Sequence, residues 1–253
     1  MIRNYLHLTQ DYPITIHSIG SDGKLTLGTT MDLLQDIAGM HAAELGVGMP
    51  QLNQLGVTWI LSRLVLEFHH RPDSSDKIRL TTWPSGITGK LFASRQFYME
   101  SKENEMCLLT GSSYWLMLKT NTLRPVPPSE ITDCEAWTQG RNDIPQFFTD
   151  ISKVDNNPCS SPLIFFIGQS KIDSNHHVNN TNYANFVLDW LTYELQKETR
   201  IQKIQINFNS ALKLLEQVVC TGTITGNQFR VVGHNQETGK NVFSSVGTFQ
   251  IQS

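Results

Sequence analysis

The chain has 253 residues, of which 39% are hydrophobic, 17% charged and 9% aromatic, enough apolar material for one large core or two moderate ones, so disordered, collagen-like and coiled-coil architectures are excluded. With 20 Lys and Arg against 23 Asp and Glu the net charge is −3, which excludes the global cationic field behind unspecific nucleic-acid binding. The four cysteines, Cys107, Cys134, Cys159 and Cys220, form no Cys-x-x-Cys pair, so neither a zinc site nor a redox motif is signalled and a reducing cytosol is the expected setting.

The segment Met1-Ile2-Arg3-Asn4-Tyr5-Leu6-His7 lacks the continuous apolar stretch of a secretory signal, and no run approaches the roughly 20 apolar residues of a membrane span. A cytoplasmic protein with no membrane span is expected. A short strand is predicted from Pro13 to Ile19, then a Gly20-Ser21-Asp22-Gly23 turn and a helix capped by Thr29 or Thr30 and running to about Leu45. Its apolar face is Leu33, Leu34, Ile37, Ala38 and Leu45, with His41 on the same side, and Gly46 and Gly48 stop it. Four strands are predicted next, Val57 to Phe68, Lys77 to Trp83, Leu91 to Met99 and Met106 to Leu118, each rich in β-branched or aromatic residues.

The second half repeats the order. A strand is predicted from Ile164 to Ser170, a helix from about Asn182 to Gln196 with Tyr183, Phe186, Val187, Trp190, Leu191 and Leu195 on one stripe, then strands near Ile201 to Asn209, Gln217 to Ile224, Phe229 to Gly233 and Val242 to Ile251. Between the halves, Asn121 to Pro162 holds six of the ten prolines and little periodicity, the mark of a connector. The expected fold is α+β: two tandem units, each a curved antiparallel sheet wrapped around a central helix too apolar for an open surface. The expected boundaries are 1–125 for the first unit, 126–162 for the connector and 163–253 for the second unit.

Chemistry concentrates in Ile172-Asp173-Ser174-Asn175-His176-His177-Val178-Asn179-Asn180-Thr181-Asn182-Tyr183, between a strand and the start of the second helix. On extended backbone, side chains repeat every two residues, so Asp173, Asn175 and His177 would share a face. That face offers an acid or nucleophile, a hydrogen-bond donor and a base, and the helix N-terminus adds free N–H groups, the parts acyl transfer needs. The competing reading is structural, because Asp, Ser, Asn and His are also ordinary turn and cap residues, and Asn179 or Asn180 fits a plain N-cap. A metal site on Asp173, His176 and His177 is disfavoured, since adjacent histidines on extended backbone diverge, and no second acid supports a glycosidase pair.

The Asp-x-Asn-x-His-Val-Asn-Asn-x-x-Tyr arrangement resembles the active-site signature of the acyl-acyl carrier protein thioesterases. Trp59-Ile60-Leu61-Ser62-Arg63-Leu64, Thr82-Trp83, Ser85-Gly86, Ser113-Tyr114-Trp115-Leu116-Met117, Thr122-Leu123-Arg124 and Pro127 are similar to that family's N-terminal landmarks in the same order. The resemblance implies two fused hotdog units, hydrolysis of fatty acyl thioesters, no cofactor, and Asp173, Asn175 and His177 as the catalytic group. It implies acyl carrier protein with its phosphopantetheine-linked acyl chain as partner, with no nucleic acid; a homodimer is compatible with it. Plant members place a Glu-Cys pair after the second helix, where this chain has Ala211 and Leu212, so a Cys-His mechanism is not supported; Glu216 enters only if the strand register differs. Asp173 then either attacks the thioester or positions His177. An acyl-coenzyme A thioesterase and a non-catalytic acyl-thioester binder are the alternatives.

By the same resemblance the first half, whose turn has Asp22 but no Asn or His partner, is non-catalytic and houses the acyl chain along Leu33, Leu34, Ile37 and Ala38. Residues 61–95 hold Arg63, Arg71, Lys77, Arg79, Lys90 and Arg95 against Glu67, Asp73 and Asp76, a local cationic excess that suits an acidic carrier if the side chains share one face.

Overall fold

The computed structural model describes residues 7–134, 137 and 162–252. Cys159 and most of the expected connector lie outside the described residues. The chain divides into two compact units, Met1–Gln146 and Phe147–Ser253.

In the first unit, β1 (Leu8–Pro13) leads through a 3-10 turn at Ile16–Ser18 to α1 (Leu27–Glu44) and α2 (Met49–Gln54), followed by β2 (Val57–Phe68), β3 (Lys77–Thr88), β4 (Phe92–Ser101), β5 (Cys107–Lys119) and the short β6 (Pro125–Val126). The strands are antiparallel in the order β1-β3-β4-β5-β2, with β6 on β5. Register shifts at Leu61/Arg63, Pro84/Gly86 and Met99/Glu100 insert extra residues, and such bulges increase twist and bend a sheet. Met31, Leu34, Ile37 and Ala38 of α1 are buried. Beside them Val47, Leu52, Val57, Ala93, Met117, Val126 and Trp137 form a second cluster, so the first unit's core draws on residues past 125.

The second unit follows the same plan: β7 (Leu163–Phe166), a 3-10 turn at Gln169–Lys171, α3 (Asn180–Leu195), then β8 (Thr199–Phe208), β9 (Gln217–Thr225), β10 (Gln228–Asn235) and β11 (Asn241–Ile251). Its antiparallel order is β7-β9-β10-β11-β8, the counterpart of β1-β3-β4-β5-β2. The interior is aromatic. Tyr183 of α3 meets Phe208 and Phe243 edge-on, with ring centroids 5.5 and 5.7 Å apart, and Phe165 of β7 lies 4.8 Å from Phe186. Gly222 lets Trp190 approach β9, where any Cβ would strike the Trp190 ring and the Arg230 carbonyl.

Most strands fall within two residues of their expected positions, but β3 runs on to Thr88 past the expected end at Trp83. β7 stops at Phe166, where a strand to Ser170 was expected, giving way to the 3-10 turn at Gln169–Lys171. The strand expected from Pro13 to Ile19 ends at Pro13 and gives way to the 3-10 turn. The first helix starts at Leu27, because Thr26 rather than Thr29 or Thr30 is its N-cap and accepts from the Thr29 N–H. The six-residue α2, opened by Pro50, was not expected.

Candidate active site

The segment from Ile172 to Val178 is a closed turn, not extended backbone. Ile172 and Val178 form an isolated antiparallel bridge, the Asp173 N–H donates to the His177 carbonyl at 2.8 Å, and the His176 N–H donates to the Asp173 carbonyl at 3.1 Å. His176 turns the corner at φ 61°, a left-handed conformation rare outside Gly, Asn, Asp and His. The two-residue alternation expected for Asp173, Asn175 and His177 is therefore absent. The reason is local chemistry: Oδ1 of Asp173 accepts from the N–H of Asn175 at 2.8 Å and of His177 at 3.3 Å, the Asx bonding that competes with extended structure.

The turn brings the three residues to one short loop at the entry of α3 without joining their side chains by hydrogen bonds. Asp173 and His177 are half-buried; Asn175 and His176 are exposed. Asn179 caps α3, its side chain accepting from the Thr181 N–H at 3.2 Å, so the positive end of the helix dipole lies directly after the loop.

A second segment braces the first. The Val178 N–H donates to the Leu212 carbonyl at 2.9 Å, and the Leu212 N–H donates to the Tyr183 hydroxyl at 3.2 Å. Burial pushes Tyr183 up to about 12, with the charges of Glu216 and Asp173 adding to the shift against the Leu212 N–H, so this hydroxyl stays protonated near neutral pH. Leu212 is fully buried. Glu216 stands one residue before β9, and its Oε2 accepts from the Lys213 N–H at 2.8 Å, which makes it a turn brace. The thiol of Cys220 is buried and pushed up, first by burial and then by the Asp189 charge, the opposite of an activated nucleophile.

The first unit carries the same backbone loop. Gly20 donates to Lys24, Gly23 to Gly20, and Thr26 to Ser18, as Asp173 donates to His177, His176 to Asp173, and Asn179 to Lys171. Gly23 at φ 69° holds the corner that His176 holds in the second unit. Where the second unit has His177, the first has Lys24, whose Nζ lies 3.0 Å from Asp73.

His41 and Arg95 form a buried pair that sequence reading split between a helix face and a basic patch. Arg95 Nη1 lies 3.0 Å from His41 Nδ1 and 3.2 Å from Thr82 Oγ1, and burial pushes the guanidinium down to about 10. The expected cationic excess over 61–95 does not form one surface. Arg95 is interior, Arg79 is paired with Asp11, Arg71 lies over Phe68 and donates to the Leu25 carbonyl, and Lys77 and Lys90 flank opposite ends of β3. Leu34, Ile37 and Ala38 are buried core residues and Leu33 is half-buried. Among the described residues no cluster of three or more His, Cys, Asp or Glu is arranged to hold a metal ion, and no helix is long and apolar enough to cross a membrane.

Family models of the acyl-ACP thioesterase N-terminal and C-terminal domains match residues 6–133 and 165–245. An oleoyl-acyl carrier protein thioesterase of Coriandrum sativum is 22% identical over 217 residues, spanning 80% of this chain and 58% of its own length. A palmitoyl-acyl carrier protein thioesterase of Arabidopsis thaliana is 24% identical over 245 residues, spanning 90% of this chain and 58% of its own length. The chain thus spans little more than half the length of these curated relatives. An acyl-ACP thioesterase structure from Bacteroides thetaiotaomicron superposes with a TM-score of 0.84 at 24% identity, covering 96% of this chain and 98% of that one. A 12:0-ACP thioesterase from Umbellularia californica gives 0.80 at 16% identity, covering 98% of each. These likenesses give the fold as two tandem hotdog units.

Proposed function

The chain belongs to the acyl-acyl carrier protein thioesterase family, and from that premise we propose that it hydrolyses fatty acyl-acyl carrier protein to free fatty acid, with Asp173, Asn175 and His177 as the catalytic group. The observation that carries this reading is the loop itself: an Asp, an Asn and a His on one rigid turn that opens onto a helix N-terminus, in a chain matched by both domain models.

In the proposed reaction a water oxygen attacks the thioester carbonyl carbon while His177 takes its proton. The oxyanion is held by the Asn175 amide, a kind of contact whose loss typically costs ~2.7–4 kcal/mol of barrier, and it faces the positive end of the α3 dipole. The C–S bond then breaks, and His177 returns the proton to the departing sulfur, leaving a carboxylic acid and a thiol. Asp173 keeps His177 oriented and stabilises its protonated ring. That role is favoured over direct attack because Oδ1 already holds two backbone N–H groups, and moving the carboxylate onto the substrate dismantles the turn. A reducing, cytoplasm-like compartment is part of the same reading, compatible with the free thiols of Cys107, Cys134 and Cys220.

The test is thiol release from matched acyl-carrier and acyl-coenzyme A substrates. Faster turnover of the carrier substrate is expected, with His177→Ala lowering kcat by ~10²–10⁴. A preference for coenzyme A esters would move the substrate assignment to them. Tight acyl-carrier binding without thiol release would make the chain a binding protein.

A further inference from the structure

The two units share a strap as well as a loop. An isolated bridge closes the loop in each, Ile19 with Leu25 and Ile172 with Val178. The second residue of each bridge then donates its N–H to a carbonyl in a distant turn, Leu25 to Pro72 at 2.8 Å and Val178 to Leu212 at 2.9 Å. The two turns are in register, because the next N–H along is taken by a carboxylate in both: Asp73 donates to Asp76 Oδ2 and Lys213 to Glu216 Oε2, each at 2.8 Å.

The far side of the strap differs between the units. Pro72 has no N–H, so the first unit has no donor to satisfy there. Leu212 has one, and it donates to the buried Tyr183 hydroxyl at 3.2 Å. Tyr183 stands four residues past Asn179, the cap of α3; four residues past Thr26, the cap of α1, stands Thr30, whose hydroxyl donates back to the Thr26 carbonyl of its own helix at 2.7 Å. At these positions only the unit with Asp173, Asn175 and His177 ties its helix to the strap that holds the loop.

The tie is firm at its helix end. Tyr183 is buried, and its ring is wedged among Phe186, Phe208 and Phe243 with centroids 6.1, 5.5 and 5.7 Å away, which leaves the hydroxyl little freedom. At the other end the strap reaches the chemistry directly. Val178 follows His177, whose N–H donates to Asp173 Oδ1 and whose carbonyl accepts from the Asp173 N–H, so a shift of Val178 moves the imidazole against the carboxylate. The Asp173 charge also acts on the Tyr183 hydroxyl, as the charge of Glu216 does.

We propose that Tyr183 is a positioning residue for the reaction at the 173–177 loop, acting through the Leu212 main chain and the Val178 strap. The inference rests on the thioesterase reading for its turnover readout, so main-chain exchange is measured beside it. Tyr183→Phe keeps the ring and its aromatic neighbours and removes only the hydroxyl. Amide hydrogen exchange should quicken at Leu212 and Val178 while the paired amides of β10 and β11 keep their protection. With palmitoyl-loaded acyl carrier protein, kcat should fall about tenfold or more at unchanged KM, within the ~10² that a misplacement of about 1 Å can cost. In a His177→Ala background the same substitution should cost almost nothing, because the group it misplaces is already gone, whereas a loss of folded protein would cost the same factor in both backgrounds. Thr30→Val, which removes the hydroxyl at the corresponding position of the first unit, should leave kcat unchanged. Any one of four results overturns the proposal: unchanged exchange at Val178, wild-type kcat in Tyr183→Phe, an equal loss in the His177→Ala background, or equal losses from Tyr183→Phe and Thr30→Val. If the wild type releases no thiol while Tyr183→Phe still loosens Val178, the hydrolase reading fails and the tie from Tyr183 to the loop stands.

Discussion

Asp173 has two tasks on one carboxylate, and substitutions separate them. Asp173→Asn keeps an oxygen that can accept from the Asn175 and His177 N–H groups, so the turn persists while the charge is lost. Turnover should collapse with an unchanged melting temperature. Asp173→Ala loses the turn as well and should also destabilise the protein by about 1–2 kcal/mol, read as a lower urea midpoint. Wild-type turnover in Asp173→Asn would remove Asp173 from the catalytic group. His176, at the exposed left-handed corner, should accept Gly at no cost to activity and with a stability change between zero and about +1 kcal/mol, because strain relief outweighs the entropy of the added glycine. The residue types of this loop were legible in the sequence. Its geometry was legible only through Asx chemistry: Asp and Asn beside Ser are side chains that bond their own backbone, and that preference overrides alternation.

At the scale of elements, apolar periodicity located α1, α3 and the long strands well, because each buries one face over many residues. Features that rest on a single hydrogen bond or a distant partner were less legible. The choice of Thr26 over Thr29 as cap is settled by which residue leaves helical geometry first, and the His41–Arg95 pair joins positions 54 apart in sequence. Asn179 was recognisable, and Asn179→Ala should cost about 1 kcal/mol while loosening the helix end that adjoins the loop, so a drop in kcat should accompany the lower midpoint. The outer edge of the first unit makes a pH prediction. Hydrogen bonds from Arg79 and Lys102 hold Asp11 down to about 2, and those from Ser75 and Lys24 hold Asp73 well below the usual carboxylate range. Folded-state values below the unfolded value of ~3.9 mean stability that is complete above that pH and is lost as pH falls through the folded values. The urea midpoint should therefore drop between about pH 4 and pH 2, and the drop should shrink in Asp11→Asn/Asp73→Asn. Both groups are exposed, so high salt should flatten the response in the wild type.

Across the whole molecule, one backbone plan occurs twice with different side chains at its loop. The order of strand, helix and four strands made the duplication visible even though residue identity between the halves is largely lost. The hydrogen-bond correspondence, Gly20 to Lys24 against Asp173 to His177, emerges only in three dimensions, because turn geometry is conserved by different residues: a glycine at one corner and a histidine at the other. Such a scaffold lets chemistry be assigned by side chain alone. Asp22 and Lys24 occupy the positions that Asn175 and His177 occupy in the second unit, and Lys24 is held by Asp73. If catalysis belongs to the second loop, Asp22→Ala and Lys24→Ala should leave kcat and KM for acyl-carrier substrate unchanged, whereas Asn175→Ala and His177→Ala should lower kcat by orders of magnitude. Lys24→Ala also releases Asp73, so its only signature should be a smaller acid-induced drop in the urea midpoint. A loss of turnover from Lys24→Ala comparable to that of His177→Ala, with the fold intact, would show that the first loop takes part in the reaction and that one active loop per chain is the wrong description.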